Sequence, residues 1–88
     1  MMFVILIYDV NVKRVSRVRK TAEKYLQPIQ KSVFEGFLTD HTLTKLQKEL
    51  EKIIDCDTDS VVIYKQLYSD SLTKCRLGRR QNLEGSIL

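Results

Sequence analysis

The chain has 88 residues, which is enough for one domain. Its hydrophobic fraction of 43% and charged fraction of 30% are ordinary for a soluble protein, and no apolar run is long enough to cross a membrane. The net charge of +4 is unevenly spread, because residues 11–31 carry seven basic side chains and one acidic one, whereas residues 32–70 carry four basic and eight acidic ones. Residues 71–88 are basic again, and basic segments of this kind favour polyanionic partners.

The first element is an apolar run over residues 1–8. It lacks the features of a signal peptide, and because apolar residues continue without alternation it predicts a strand over 2–8 that is buried on both faces. Asp9 follows directly, and an ionised carboxylate at such a position is costly unless it is solvated, paired or bound to a cation. With basic residues close behind it, Asp9 suggests a site for a metal ion and a phosphate.

The second element is a predicted helix over residues 12–26. At ~100° per residue, its apolar positions fall in one arc and its basic positions in the opposite one. The apolar arc holds Val15, Val18, Ala22, Tyr25 and Leu26, and the basic arc holds Lys13, Arg14, Arg17, Lys20 and Lys24. The basic arc is expected to face either a phosphate backbone or solvent alone, as charged helix faces commonly do.

The remaining elements alternate in type. A strand is predicted over 29–38 with Pro28 at its start, a helix over 41–54 capped by Thr39 or Asp40, a strand over 60–67, and a short strand over 72–77 before Gly78. A break near Gly36 would divide residues 29–39 into a hairpin. We therefore predict an α+β, ferredoxin-like βαββαβ sandwich over residues 1–78, with two helices on one face of an antiparallel sheet.

Both faces of the first strand are apolar, although two helices cover only one face of a sheet. A second copy of the chain is the simplest cover for the other face, so we predict a homodimer joined sheet to sheet. Residues 79–88 are expected to form a tail that packs on the partner subunit as an added strand at the dimer interface.

Two further motifs carry little functional weight. Residues 55–59 resemble the start of a calcium loop, but the glycine and the terminal glutamate of that motif are missing, so a solvated acidic loop is favoured. Cys56 and Cys75 are far apart and have no histidine at metal-binding spacing, which favours a reducing, cytoplasmic location over a zinc site or a disulfide.

Three segments together resemble the CRISPR-associated protein 2 family. They are Tyr-Asp-Val at 8–10, Gln-Lys-Ser-Val-Phe-Glu-Gly at 30–36 and Asp-Ser-Val-Val-Ile-Tyr at 59–64, with Arg14 and Arg17 opening the first helix. The resemblance covers nearly the whole chain. One departure lies before the second strand, where the family usually has a glycine and this chain has Leu-Gln-Pro.

The resemblance implies a homodimer that works in spacer acquisition beside the CRISPR-associated integrase subunit, as a central body along which duplex DNA lies. It also implies a metal-dependent endonuclease that acts on RNA, including single-stranded RNA, or on double-stranded DNA. Asp9 matches the catalytic aspartate that binds Mg²⁺ (or Mn²⁺). Tyr8 and Phe34 are the residues expected at the dimer interface.

The residues leave more than one function open. The chain could be a magnesium-dependent phosphodiesterase with one composite site per dimer, which two Asp9 carboxylates would complete. It could be an architectural DNA-binding subunit, for which the basic arc suffices. The alternative is a toxin-like endoribonuclease resembling virulence-associated protein D, which acts without an integrase.

Overall fold

Seven elements follow one another in the order β-α-β-β-α-β-β in the computed structural model, which describes residues 1–68 and 71–78. The strands are β1 (Met2–Asp9), β2 (Gln27–Gln30), β3 (Val33–Leu38), β4 (Ser60–Tyr68) and β5 (Ser71–Gly78). The helices are α1 (Val12–Glu23) and α2 (Asp40–Ile53). No helix within these ranges is long and apolar enough to span a membrane.

The strands form one antiparallel sheet in the order β2-β3-β1-β4-β5. The first four strands have the order of a ferredoxin-like sandwich, and β5 extends the sheet beyond β4. The predicted fold class is therefore confirmed. The predicted tail over 79–88 lies outside the described residues.

Alternation along β1 divides the sheet into two faces. Val4 and Leu6 are fully buried in a core that also contains Val18 from α1 and Leu50 from α2. Ile5 and Ile7, which alternate with these residues, point to the other side of the sheet, and the side chain of Ile7 is 39% exposed. The strand register places further side chains of β3, β4 and β5 on this second side, which we call the open sheet face.

The hairpin differs in position from the prediction. Its turn lies at residues 31–32, and Gly36 is inside β3, where it pairs with Val4. A Cβ at Gly36 would lie 2.9 Å from Cδ2 of Leu26, so the glycine leaves room for that buried side chain. The prediction of a break at Gly36 was thus wrong, because this glycine serves close packing across the sheet rather than a turn.

The boundaries of the helices differ slightly from those predicted. α1 ends at Glu23, three residues early, because the chain turns over residues 24–26 towards β2. Thr39 is the residue that caps α2, its hydroxyl oxygen accepting from the N–H of Thr42 at 3.1 Å.

Candidate functional site at the end of β1

Asp9 is the last residue of β1 and its side chain is exposed. Its cross-strand partner is Ser60, the first residue of β4, and the partner of Ser60 on the other side is Gly78 of β5. Neighbouring Cα atoms in such a ladder are about 4.5–5.5 Å apart. Because Asp9 has the same parity as Ile7, it lies on the open sheet face, at one end of it.

Hydrogen bonds fix the chain on both sides of Asp9. The backbone N–H of Tyr8 donates to the carbonyl of Ser32 at 3.1 Å, and the Tyr8 hydroxyl donates to the carbonyl of Lys31 at the same distance. On the other side, the backbone N–H of Asn11 donates to Oδ1 of Asp59 at 2.9 Å. The carboxylate of Asp9 is therefore carried by a backbone that is tied to the turn before β3 and to the residue before β4.

Asp59 is the centre of a buried polar cluster that the sequence did not reveal. Its side chain is fully buried and accepts from Nε of Arg14 at 2.5 Å, from Nη2 of Arg14 at 3.1 Å and from the backbone N–H of Asp55 at 2.9 Å. The hydrogen bonds from Arg14, followed by those from the backbone, hold the pKa of Asp59 far below its usual range. Asp59 was interpreted as part of a solvated acidic loop, and that interpretation was wrong for this one residue.

Gly78 completes the packing around Asp59. Its φ of +80° is one that only glycine adopts readily, and a Cβ there would overlap with the carbonyl oxygen of Asp59. The end of β5 and the first turn of α1 thus meet at Asp59, the residue before β4.

The basic arc of α1 is divided by these contacts. The guanidinium of Arg14 turns inward to Asp59, so it does not project with the others, and its pKa is raised chiefly by that hydrogen bond. Lys24 pairs with Glu49 of α2 at 2.5 Å. Lys13, Arg17 and Lys20 are exposed, and we call these three residues the basic face of α1. The nucleic-acid roles expected of all five remain predictions.

The structure does not place Tyr8 and Phe34 where a dimer interface is expected. Their rings stack at 6.1 Å between centroids, and exposure is 5% for Tyr8 and zero for Phe34, because both point to the helix-covered side. The apolar side chains that a partner could cover are others. Ile7 and Phe37, which is 63% exposed, lie on the open sheet face. Alternation along β1 contained this signal, but it does not say which face the helices cover.

Metal binding at Asp9 has to be judged from the donors present. Among the described residues there is no group of three or more His, Cys, Asp and Glu side chains arranged to hold a metal ion. A carboxylate is nevertheless the ligand type that Mg²⁺ takes, often with only one or two carboxylates beside water and substrate phosphate. The exposed Asp9 carboxylate would suit Mg²⁺ if a second copy of the chain and a phosphate supplied further ligands.

The fold and the site define a class: a small ferredoxin-like protein with a carboxylate at the end of its central strand and an open apolar sheet face beside it. The family described as CRISPR associated protein Cas2 matches residues 2–75 of the chain. A relative from Thermodesulfovibrio yellowstonii, named CRISPR-associated endoribonuclease Cas2 3, is 41% identical over 88 residues, which cover 100% of both chains. The chain belongs to the CRISPR-associated Cas2 family.

Other similar proteins agree with this assignment. A relative from Dictyoglomus turgidum, named CRISPR-associated endoribonuclease Cas2, is 40% identical over 99% of this chain and 100% of its own length. A solved structure titled "Crystal structure of cas2" has 40% identity and a TM-score of 0.73, covering 99% of this chain and 98% of the other. The structure of Streptococcus pyogenes Cas2 at pH 6.5 has 37% identity and a TM-score of 0.68, with coverage of 80% and 89%.

Proposed function

We propose that this chain is a CRISPR adaptation protein that works as a homodimer, binds duplex DNA, supports spacer integration with the integrase subunit, and cleaves phosphodiester bonds at Asp9 with Mg²⁺. Endoribonuclease activity is the nuclease activity named for the relatives. The observation that carries the proposal is the position of Asp9 at the end of an open apolar sheet face. A second copy related by a two-fold axis near the ends of the strands would bring a second Asp9 to the same place.

Two Asp9 carboxylates in one composite site would be suited to metal-assisted hydrolysis of a phosphodiester. The two Asp9 carboxylates would hold Mg²⁺, which would supply Lewis-acid polarisation of a phosphodiester and a more acidic water. The role of the Asp9 side chains would be to hold the cation, and the hydrogen bonds of Tyr8 and Asn11 would keep both carboxylates in place. In hydrolysis a water oxygen forms a new bond to phosphorus and loses a proton to solvent, while the bond to the leaving sugar oxygen breaks and that oxygen takes up a proton from solvent.

The dimer is supported by the apolar side chains left on the open sheet face. Ile7→Lys is expected to raise the dimer dissociation constant by about 100-fold, since each interface loses two buried apolar side chains and gains two buried charges. Sedimentation equilibrium measures the change. Thr44→Lys is the control, because Thr44 is exposed on α2, behind the sheet. An unchanged dissociation constant for Ile7→Lys would show that a different surface joins the subunits.

DNA binding is supported by the basic face of α1. The pair Arg17→Glu and Lys20→Glu is expected to weaken duplex binding at least tenfold and to reduce the slope of log K against log salt by about 0.9 for each phosphate that the variant no longer neutralises. Fluorescence anisotropy with duplex DNA over a salt series measures both. Spacer integration in the presence of the integrase subunit should fall in parallel.

A matched pair on α2 provides the control for this experiment. Lys48→Glu and Lys52→Glu change the net charge by the same amount, and both side chains are exposed. They are expected to leave the salt slope unchanged. If both pairs of substitutions lowered duplex affinity equally, net charge alone would govern binding, and α1 would not be a specific surface for DNA.

A further inference from the structure

Two cations of β5 share the open sheet face with Asp9. Arg76 is paired with Val62, and Lys74 with Tyr64, positions of β4 that have the same parity as Ser60, the partner of Asp9. Both cations are exposed. The guanidinium of Arg76 donates from Nη1 to the hydroxyl oxygen of Ser60 at 3.2 Å, so it leans towards the end of the sheet at which Asp9 lies.

The side chains on the open sheet face differ in polarity between its strands. On β1 and β3 most of its side chains are apolar, with Ile5, Ile7 and Phe37 among them, and Glu35 of β3 lies opposite Ile5. On β5 this face carries Lys74 and Arg76 towards the end at which Asp9 lies, and the exposed Leu72 further away. A partner subunit that covers Ile7 and Phe37 would leave Arg76 and Lys74, at the other side of the sheet, accessible to a phosphate. A surface of this kind suits a chain of phosphates rather than another apolar surface.

From this arrangement we propose that Arg76 binds a phosphate of the nucleic-acid strand that is cleaved at Asp9, and that Lys74 binds the next phosphate along the same strand. The proposal rests on the proposed nuclease function and names the substrate-binding residues of that site. Arg76 lies beyond the part of the chain that the family match covers, which ends at residue 75.

The spacing of the two cations favours a single strand as the substrate. Alternate residues of a β-strand are about 7 Å apart on one face, which is comparable to the separation of successive phosphates along an extended single strand. Nζ of Lys74 lies 5.8 Å from the ring centroid of Tyr64, so an aromatic ring is present beside the second phosphate position. Aromatic rings beside cations are the usual means of holding unpaired bases.

The competing explanation is that Arg76 only ties β5 to β4 through Ser60. Arg76→Gln separates the two roles, because glutamine keeps a donor for the Ser60 hydroxyl and loses the charge. Arg76→Lys keeps the charge and loses the planar fork. A phosphate-binding role predicts a large loss of nucleic-acid affinity for glutamine and a smaller loss for lysine, whereas a purely structural tie to Ser60 predicts no loss of affinity for glutamine, since a donor remains.

The test uses the full-length protein with Mg²⁺ and single-stranded oligonucleotides. For Arg76→Gln we expect KM for single-stranded RNA to rise about tenfold, as loss of a charge-assisted hydrogen bond predicts, with a smaller change in kcat and little change in melting temperature. The control is Lys45→Gln, an equal charge change on α2, which should leave KM unaltered. An unchanged KM for Arg76→Gln would overturn the proposal.

A binding measurement keeps this test separate from that of the nuclease function. In an Asp9→Asn background, adding Arg76→Gln should weaken binding of single-stranded RNA and single-stranded DNA about tenfold alike, because both present the same phosphates. A loss confined to RNA would overturn the assignment to phosphate. If the wild-type chain cleaves nothing while this loss is seen, the nuclease function fails and Arg76 as a phosphate-binding residue stands.

Discussion

Asp9→Asn is expected to lower the rate of magnesium-dependent cleavage by about 100-fold or more, while the dimer and duplex binding persist. Asparagine has nearly the same shape but lacks the charge that attracts the cation. Because both subunits of the dimer carry the substitution, the composite site loses both carboxylates. Cleavage of single-stranded RNA and of duplex DNA, each measured over a magnesium series, checks the prediction. Asp40→Asn, an exposed carboxylate in the first turn of α2, is the control.

Spacer integration by the same Asp9→Asn protein separates the two parts of the proposed function. If duplex binding by α1 is sufficient for integration, the variant should integrate spacers at the wild-type rate together with the integrase subunit. Loss of integration with an intact dimer would instead make the carboxylate necessary for adaptation. Cleavage at the wild-type rate would show that Asp9 is not the catalytic carboxylate.

Asp59→Ala is expected to cost about 3 kcal/mol of unfolding free energy and to lower the melting temperature by more than about 10 °C. The variant leaves the guanidinium of Arg14 and two backbone N–H groups, those of Asn11 and Asp55, without their acceptor. Thermal and urea unfolding measure the loss. Asp57→Ala, an exposed aspartate in the same loop, should change stability by less than about 0.5 kcal/mol. Similar losses in both variants would contradict the role given to Asp59.

The same cluster predicts how stability depends on pH. Because Arg14 and the backbone donors lower the pKa of Asp59 in the folded chain, the folded state holds this carboxylate ionised where the unfolded state protonates it. The stabilisation is complete above the unfolded pKa of about 3.9 and is lost as pH falls below that value. Between pH 5 and pH 2, the wild type should therefore lose more stability than Asp59→Asn. Parallel pH profiles for the two proteins would contradict this.

Much of the fold could be predicted from the sequence, because its strands and helices follow from the spacing of apolar residues that are close in sequence. The spacing of Leu43, Leu46 and Leu50 predicts a helix with one buried face, which the structure confirms, and the apolar run before Asp9 predicts a strand, which is also confirmed, although only one of its two faces is buried within the chain. The turn at residues 31–32 could not be located, because it contains neither glycine nor proline. Gly36 drew the prediction instead, although its small size serves a contact with Leu26.

The part of the site that sequence reasoning missed depends on contacts between distant residues. Asp59 sits among acidic neighbours that are exposed, and only the return of the chain to α1 places Arg14 against it, 45 positions away. Tyr8 and Phe34 were assigned to the interface although each lies on the helix-covered side, a choice that depends on which way the crossover helices fold. The side of the sheet on which the helices pack is a property of the tertiary structure, and the periodicity of the sequence does not indicate it.

The central position of β1 has a consequence for how the chain folds during synthesis. β1 is synthesised before its two neighbours, β3 and β4, and it pairs with residues as distant in sequence as Glu35 and Tyr64, both partners of Ile5. Until β4 has been made, one edge of this apolar strand has no partner and is a template for pairing with other chains. Loop closures of this length also place the chain among slowly folding topologies. Aggregation of nascent chains, more than loss of native stability, should therefore limit the yield of variants that slow the closure of β4 on β1.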